Sequence, residues 1–211
     1  MNRDLLRGLN ARVLTTFLLA LFAVALAPCS SAAPDLTATA EEYVSSGIIY
    51  KRLVFQGEKQ RGEMELPNGW SHRNLDPTRL QLIPGTHRFA EAVIRIEPLP
   101  KAHALGQVAI PALQQQALAE VPAASQDVSH VRSTENPGGP GGGESLEVVV
   151  AYKALGYTFH RSSLFVNWRD SRLVIQLTAP EADFDALSAT LQRALQSWHW
   201  QEIEVPTSVG E

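Results

Sequence analysis

Residues 145–198 constrain the fold more than any other part of the chain, because three strand-like runs follow one another with only short breaks and a helical pattern closes them off. Residues 145–153 alternate around Leu146, Val148, Val150 and Tyr152, and Gly156 turns the chain. Residues 157–168 then carry Tyr157, Phe159 and Phe165 on one face and Leu164, Val166 and Trp168 on the other. Arg169, Asp170 and Ser171 supply the next turn before residues 173–178 run back. Links this short cannot hold a parallel crossover, so the three runs predict an antiparallel meander. The helix that follows has Pro180 in its first turn and Asp183 near its positive pole, with Thr178 and Glu181 spaced as a capping pair. Its apolar stripe, Phe184, Leu187, Leu191, Leu195 and Trp198, recurs every three or four residues and is expected to pack on the sheet. Trp200 belongs to the last turn or to a short extension, and residues 202–211 read as a polar tail.

Upstream the pattern is more broken. The run from residue 46 to Gln56 is rich in β-branched and aromatic residues and predicts a strand, pairing with a second over residues 61–66. Pro67-Asn68-Gly69-Trp70 then forms a turn with Trp70 as its anchor, since Pro67 fixes its own φ and Asn-Gly tolerates positive φ. Residues 71–86 are polar and turn-rich, with a short edge strand over 79–83. Residues 89–97 alternate better, placing Ala90, Ala92, Ile94 and Ile96 on one side and leaving a wetter face with Arg95 and Glu97. Pro111 would disrupt a helix interior and suits a first turn, so the middle helix is placed from about Ala109 or Pro111 to Glu120 with Leu113, Ala117 and Val121 inward. Residues 122–144, centred on a run of prolines and glycines from Asn136 to Gly143, have little apolar area to offset ordering and predict a mobile surface loop. A phosphate-binding loop is a poor fit, because no Gly-Lys-Ser/Thr follows and the run leads into a strand.

The first 33 residues carry a different message. Arg3, Arg7 and Arg12 precede an apolar run over residues 13–27, and small residues follow at Ser30, Ser31, Ala32 and Ala33. A run of about fifteen apolar residues fits an export signal, whereas a resident helical span needs roughly 20. Leu26-Ala27-Pro28-Cys29 resembles a bacterial lipobox, which would make Cys29 a lipidation site, although Pro28 stands where a small residue is usual. Cleavage after Ala32 is the alternative, and in either case no cysteine lies beyond Cys29 to form a disulfide. Residues 34–45 read as a flexible lead into one domain over residues 46–201. Without residues 1–33, 15 basic face 21 acidic side chains over 178 positions, a net charge of −6. This balance, with no basic stripe, argues against nucleic-acid binding.

The strand ending in Leu66-Pro67-Asn68-Gly69-Trp70, the middle helix, the three antiparallel strands and the helix entered through Leu177-Thr178-Ala179-Pro180-Glu181-Ala182-Asp183-Phe184 resemble the Mog1/PsbP-like superfamily, notably its exported bacterial members. The resemblance spans roughly residues 46–200, with the glycine-rich insertion as a departure. It implies an α/β class fold, an α/β/α sandwich with a mainly antiparallel central sheet, and a non-catalytic role in assembly or binding. It brings no catalytic residues with it.

Read directly for chemistry, the chain offers little. The histidines at 72, 87, 103, 130, 160 and 199 lack the spacing that sets two metal ligands on one side of an element, so neither a metal nor a cofactor is expected. Ser162 and Ser163 sit on a strand with no Gly-x-Ser-x-Gly elbow and read as structural. Arg95, Arg161, Arg169 and Trp200 are the candidates for a partner-binding surface, since Arg and Trp anchor interfaces. The leading expectation is an exported, non-catalytic envelope accessory or binding protein, membrane-associated only if Cys29 is acylated. A hydrolase using His160 or His199 with a nearby carboxylate, and a small-molecule or lipid carrier, are the alternatives. An enzyme requires a histidine, an acid and a nucleophile to converge, and a carrier requires an apolar cavity.

Overall fold

The structure is a computed structural model that describes residues 35–56, 60–99, 105, 109–168 and 171–202. The expected export signal, including Cys29, lies outside the described residues. In chain order the elements are β1 (Ala38–Ser45), β2 (Ile48–Gln56), β3 (Gln60–Leu66), β4 (Trp70–Asp76), β5 (Arg79–Pro84), β6 (Glu91–Pro98), α1 (Ile110–Ala119), β7 (Gln126–Glu135), β8 (Ser145–Ala154), β9 (Tyr157–Trp168), β10 (Ser171–Pro180), α2 (Glu181–Gln196) and β11 (His199–Glu202). They form a four-stranded sheet of order β1-β2-β3-β11 and a seven-stranded sheet of order β4-β5-β6-β10-β9-β8-β7. Every strand pairing is antiparallel.

The meander β8-β9-β10 forms as its alternation predicts and stands inside the large sheet, buried on both faces. Leu164, Val166, Leu173, Ile175 and Leu177 point to the side where α2 lays down Phe184, Leu187, Leu191 and Leu195. Their alternates Phe165 and Val174 join Leu146, Val148 and Val150 on the opposite side, under Leu113 and Ala117 of α1. The small sheet closes the α2 side: Leu53, Phe55, Met64 and Leu66 belong to the same apolar cluster as Phe184 and Trp198. Burying an aliphatic or phenyl side chain is worth roughly 1.5–3 kcal/mol, so this shared cluster ties the two sheets into one core.

Among the described residues two α-helices stand against eleven strands, so this part of the protein is predominantly β. The expected α/β/α layering is correct only to the extent that one helix lies on each face of the large sheet. Four local expectations are also corrected. Residues 38–45 form β1 where a flexible lead was expected. They are held because Leu36 is fully buried and the Asn74 side-chain amide bonds both backbone groups of Ala38, each at 3.0 Å. Residues 71–86 hold two full strands, and β5 is internal because β4 covers it. Residues 126–135 form β7 where an irregular loop was expected, and Pro140–Gly142 makes one 3₁₀ turn. Thr178 does not cap α2: it lies in β10, its hydroxyl accepts from Arg161, and Pro180 occupies the N-cap without a side-chain bond.

The small sheet has one feature that fixes a residue type. Trp200, brought beside β3 by β11, lies across Gly62 so closely that a Cβ there would sit 2.9 Å from the indole. Trp200 thereby packs at a tilt against the stacked Phe55–Trp198 pair, at ring-centroid distances of 5.9 and 6.1 Å. On the sheet's other face Arg52 and Arg61 each pair with both Glu41 and Glu63 at 2.8–3.2 Å, a closed lattice of four charges.

Candidate functional site

Arg95 and Arg161, two of the candidates for a partner-binding surface, converge on the end of α1. Arg95 donates to Glu97 at 2.8 Å, to Gln176 at 2.7 Å and to Glu120 at 2.6 Å. Arg161 donates to the Thr178 hydroxyl at 2.9 Å and to the backbone carbonyl of Glu120, with its guanidinium 5.8 Å above the Tyr152 ring. Gln116 and Gln176 also bond the Glu120 carboxylate. Two cations at a helix C-terminus complement its partial negative charge. Burial opposes the Arg95 charge, but the bonds to Glu97 and Glu120 outweigh it and push the pKa further up. These arginines therefore latch α1 to the large sheet, and the donors named here are already engaged within the chain.

Trp200 is half-buried against the core. Arg169 lies outside the described residues. The histidines are placed as follows. His160 is 3.9 Å from Glu181 and meets the Phe184 ring edge-on at 5.2 Å, while His87 is 3.3 Å from Asp183. His199 faces the backbone carbonyl of Ser197. A serine–histidine contact that the sequence reading missed, His130 Nε2 to Ser133 Oγ at 2.9 Å, lies on exposed β7, where Gln114 also donates to that hydroxyl. Among the described residues no carboxylate is bonded to His130 to orient it, and no group of three metal-ligating side chains occurs. A small cavity of about 20 Å³ lies between α2 and the large sheet, beside buried Glu147, whose carboxylate accepts from Ser162 at 2.7 Å. That volume suits about one water. An open groove of about 320 Å³ between β2 and α2 is lined by apolar Leu66, Pro67 and Ala194 together with polar Lys51, Glu65 and Arg193, a mixed open surface rather than an enclosed apolar cavity.

Exposed apolar side chains gather instead at hairpin turns. The turn between β8 and β9 places Leu155 at φ 54° and leaves it 79% exposed. Next to it Tyr157, 51% exposed, meets Phe89, 39% exposed, at 5.5 Å between ring centroids. Arg88 lies 5.5 Å over Phe89, and Phe159 and Tyr152 continue the aromatic row inward at 6.5 and 5.6 Å. The inner rings pack against the outer ones, so Phe89 and Tyr157 extend a continuous aromatic row to the surface. An aromatic pair with an arginine and a projecting leucine is the composition of an interface centre. The rim was legible in sequence only as two apolar residues astride Gly156, because Phe89 joins it from a distant strand end.

The fold has solved counterparts. The structure of cyanobacterial PsbP (CyanoP) from Synechocystis sp. PCC 6803 superposes with a TM-score of 0.51 at 12% identity, covering 82% of this chain and 98% of that one. The Saccharomyces cerevisiae Ran-binding protein Mog1p gives 0.43 at 12% identity, covering 77% and 96%. LpqN, involved in cell envelope biogenesis of Mycobacterium tuberculosis, gives 0.44 at 11% identity, covering 78% and 91%. No protein-family model and no curated protein sequence matches the chain. The chain has the Mog1/PsbP-like fold. No described helix is long and apolar enough to cross a membrane.

Proposed function

We propose that this protein is an exported, non-catalytic accessory factor of the bacterial cell envelope that works by holding a protein partner. The observation that carries this reading is the exposed aromatic rim formed by Phe89, Leu155 and Tyr157 with Arg88, an apolar patch that a protein with a filled core has no folding reason to expose. The basic-then-apolar start of the chain supports export. The test is a photo-crosslinking amino acid at position 155 in the native host, followed by fractionation of the envelope. The reading predicts a discrete adduct in the envelope fraction that disappears when Phe89→Ala and Tyr157→Ala are added and the protein stays folded. Protein confined to the cytoplasm, or an adduct indifferent to those changes, would contradict it.

A further inference from the structure

Four strand edges bound the two sheets among the described residues, and three are closed. β11 is four residues long. β4 has a register shift at Asn74 and turns the Asn74 amide onto Ala38. β7 breaks register twice against β8 and carries Asp127 at φ 51°, the kind of bulging that keeps an edge from templating another strand. β1 has none of these devices. Its eight residues stay in unbroken register with β2 from Ala38 opposite Phe55 to Ser45 opposite Ile48.

The hairpin turn determines which groups of β1 are open. Ser46 and Gly47 both have positive φ, as a two-residue turn requires, so Ser45 and Ile48 exchange hydrogen bonds. Alternation then directs Thr39, Glu41 and Tyr43 to β2 and turns the N–H and C=O groups of Ala38, Ala40, Glu42 and Val44 outward. The Asn74 amide confirms the phase, because it satisfies both groups of Ala38 from the outer side. Ala40, Glu42 and Val44 are left to present a three-residue ladder. Beside it Val44 is 70% exposed and Ile49, directly opposite on β2, is 62% exposed.

We propose that β1 is a strand-addition site: an extended segment of a partner protein, carrying a Lys or Arg between β-branched residues, pairs with Ala40, Glu42 and Val44 and becomes a fifth strand of the small sheet. This site is separate from the Phe89–Tyr157 rim and stands on its own observations. Charge selects the occupant. The full symmetric register with a second copy would set Glu42 against Glu42 and Glu41 against Tyr43, and like charges directly opposite are unfavourable. Glu42 is held only by an exposed 3.5 Å contact with Lys51, so a cation across the strand finds a carboxylate within reach. Val44 and Ile49 offer a β-branched neighbour the apolar surface that the present sheet leaves bare.

The test is amide hydrogen exchange on the full-length protein with two acetylated, amidated probe peptides, Thr-Val-Lys-Val-Thr-Val-Lys and the same peptide with Glu in place of Lys. The basic peptide is expected to slow exchange at Ala40, Glu42 and Val44 by roughly tenfold at ten times its half-saturating concentration. Glu42→Pro should abolish the effect, since it removes an outward N–H that β2 does not use and proline is tolerated on edges. Glu42→Lys, which keeps that N–H, should transfer the preference to the acidic peptide. Protection on Gln126–Glu135, protection nowhere, or equal protection by both peptides overturns the proposal. Protection of β1 that grows with protein concentration in the absence of peptide assigns the edge to a second copy and overturns the occupant proposed.

Discussion

β1 and β7 are both edge strands with a single antiparallel neighbour, and they are finished in opposite ways. β7 closes the large sheet with ten exposed residues, two register breaks and Lys153 pinned to Asp127 at 2.8 Å. β1 closes the small sheet in regular register and ends in exposed Val44, with exposed Ile48 and Ile49 of β2 beside it. Behind β7 lies a sheet covered by a helix on each face. Behind β1 lies one whose inner face shares α2's core and whose outer face is neutralised by the Arg52, Arg61, Glu41 and Glu63 lattice. A sheet that needs no further partner has its edge bulged shut, and the contrast at β1 locates where one is still accommodated.

The comparison has meaning only if both edges belong to one cooperative unit. Phe184 is fully buried in the cluster that joins them, so Phe184→Ala should cost about 3–5 kcal/mol, with one transition by circular dichroism and tryptophan fluorescence. Separate transitions would divide the sheets. The large-sheet side is probed by Glu120→Ala, which strips the α1 latch of a carboxylate shared by Arg95, Gln116 and Gln176 and should cost about 1–3 kcal/mol in urea unfolding. On the small-sheet side, Gly62→Ala drives a Cβ into Trp200 and should cost about 1–3 kcal/mol, with a shifted tryptophan emission that Glu120→Ala lacks.

The smallest effect concerns the β4 margin. Arg79 and Thr78 hydrogen-bond the exposed Asp76 carboxylate and hold its pKa below the ordinary aspartate value. A depressed folded pKa means stability that is present above the unfolded value and lost as pH falls through the folded one. Asp76→Asn should therefore lower stability slightly at neutral pH and make no difference at acid pH, where the native carboxylate is itself protonated, so that the acid limb of the stability curve is flattened.

The sequence announced those elements whose side chains are buried on a fixed period. The meander, the α2 stripe from Phe184 to Trp198 and the Leu113–Ala117 face of α1 were all legible for that reason, and so was the Mog1/PsbP-like fold they outline. β1, β4 and β7 were not. The Gln126–Glu135 strand buries no side chain at all, so it has no apolar period to read, and it exists because β8 offers a ladder. β1 is held by a side chain 36 residues away, Asn74, and no local pattern encodes that bond. The same limit applies to the sites. Strand position marked Arg95 and Arg161 only as residues of wetter faces, and their capture by Glu120 depends on where α1 ends over the sheet. Thr178 matched a cap by spacing and became a strand residue because β10 runs on to Pro180.

The most direct measurement compares the two edges in the native host. Val44→Asp with Ile49→Asp charges the β1 hairpin, and Val128→Asp with Val131→Asp charges β7, where both valines are also exposed. The size of the native complex in detergent-treated envelope extracts is the readout, with thermal melts of each purified variant as the folding control. The account predicts that the β1 variant stays folded but loses the component paired on β1 and runs as a smaller species, while the β7 variant keeps the full complex. A complex that survives the β1 changes and is lost with the β7 changes would contradict it.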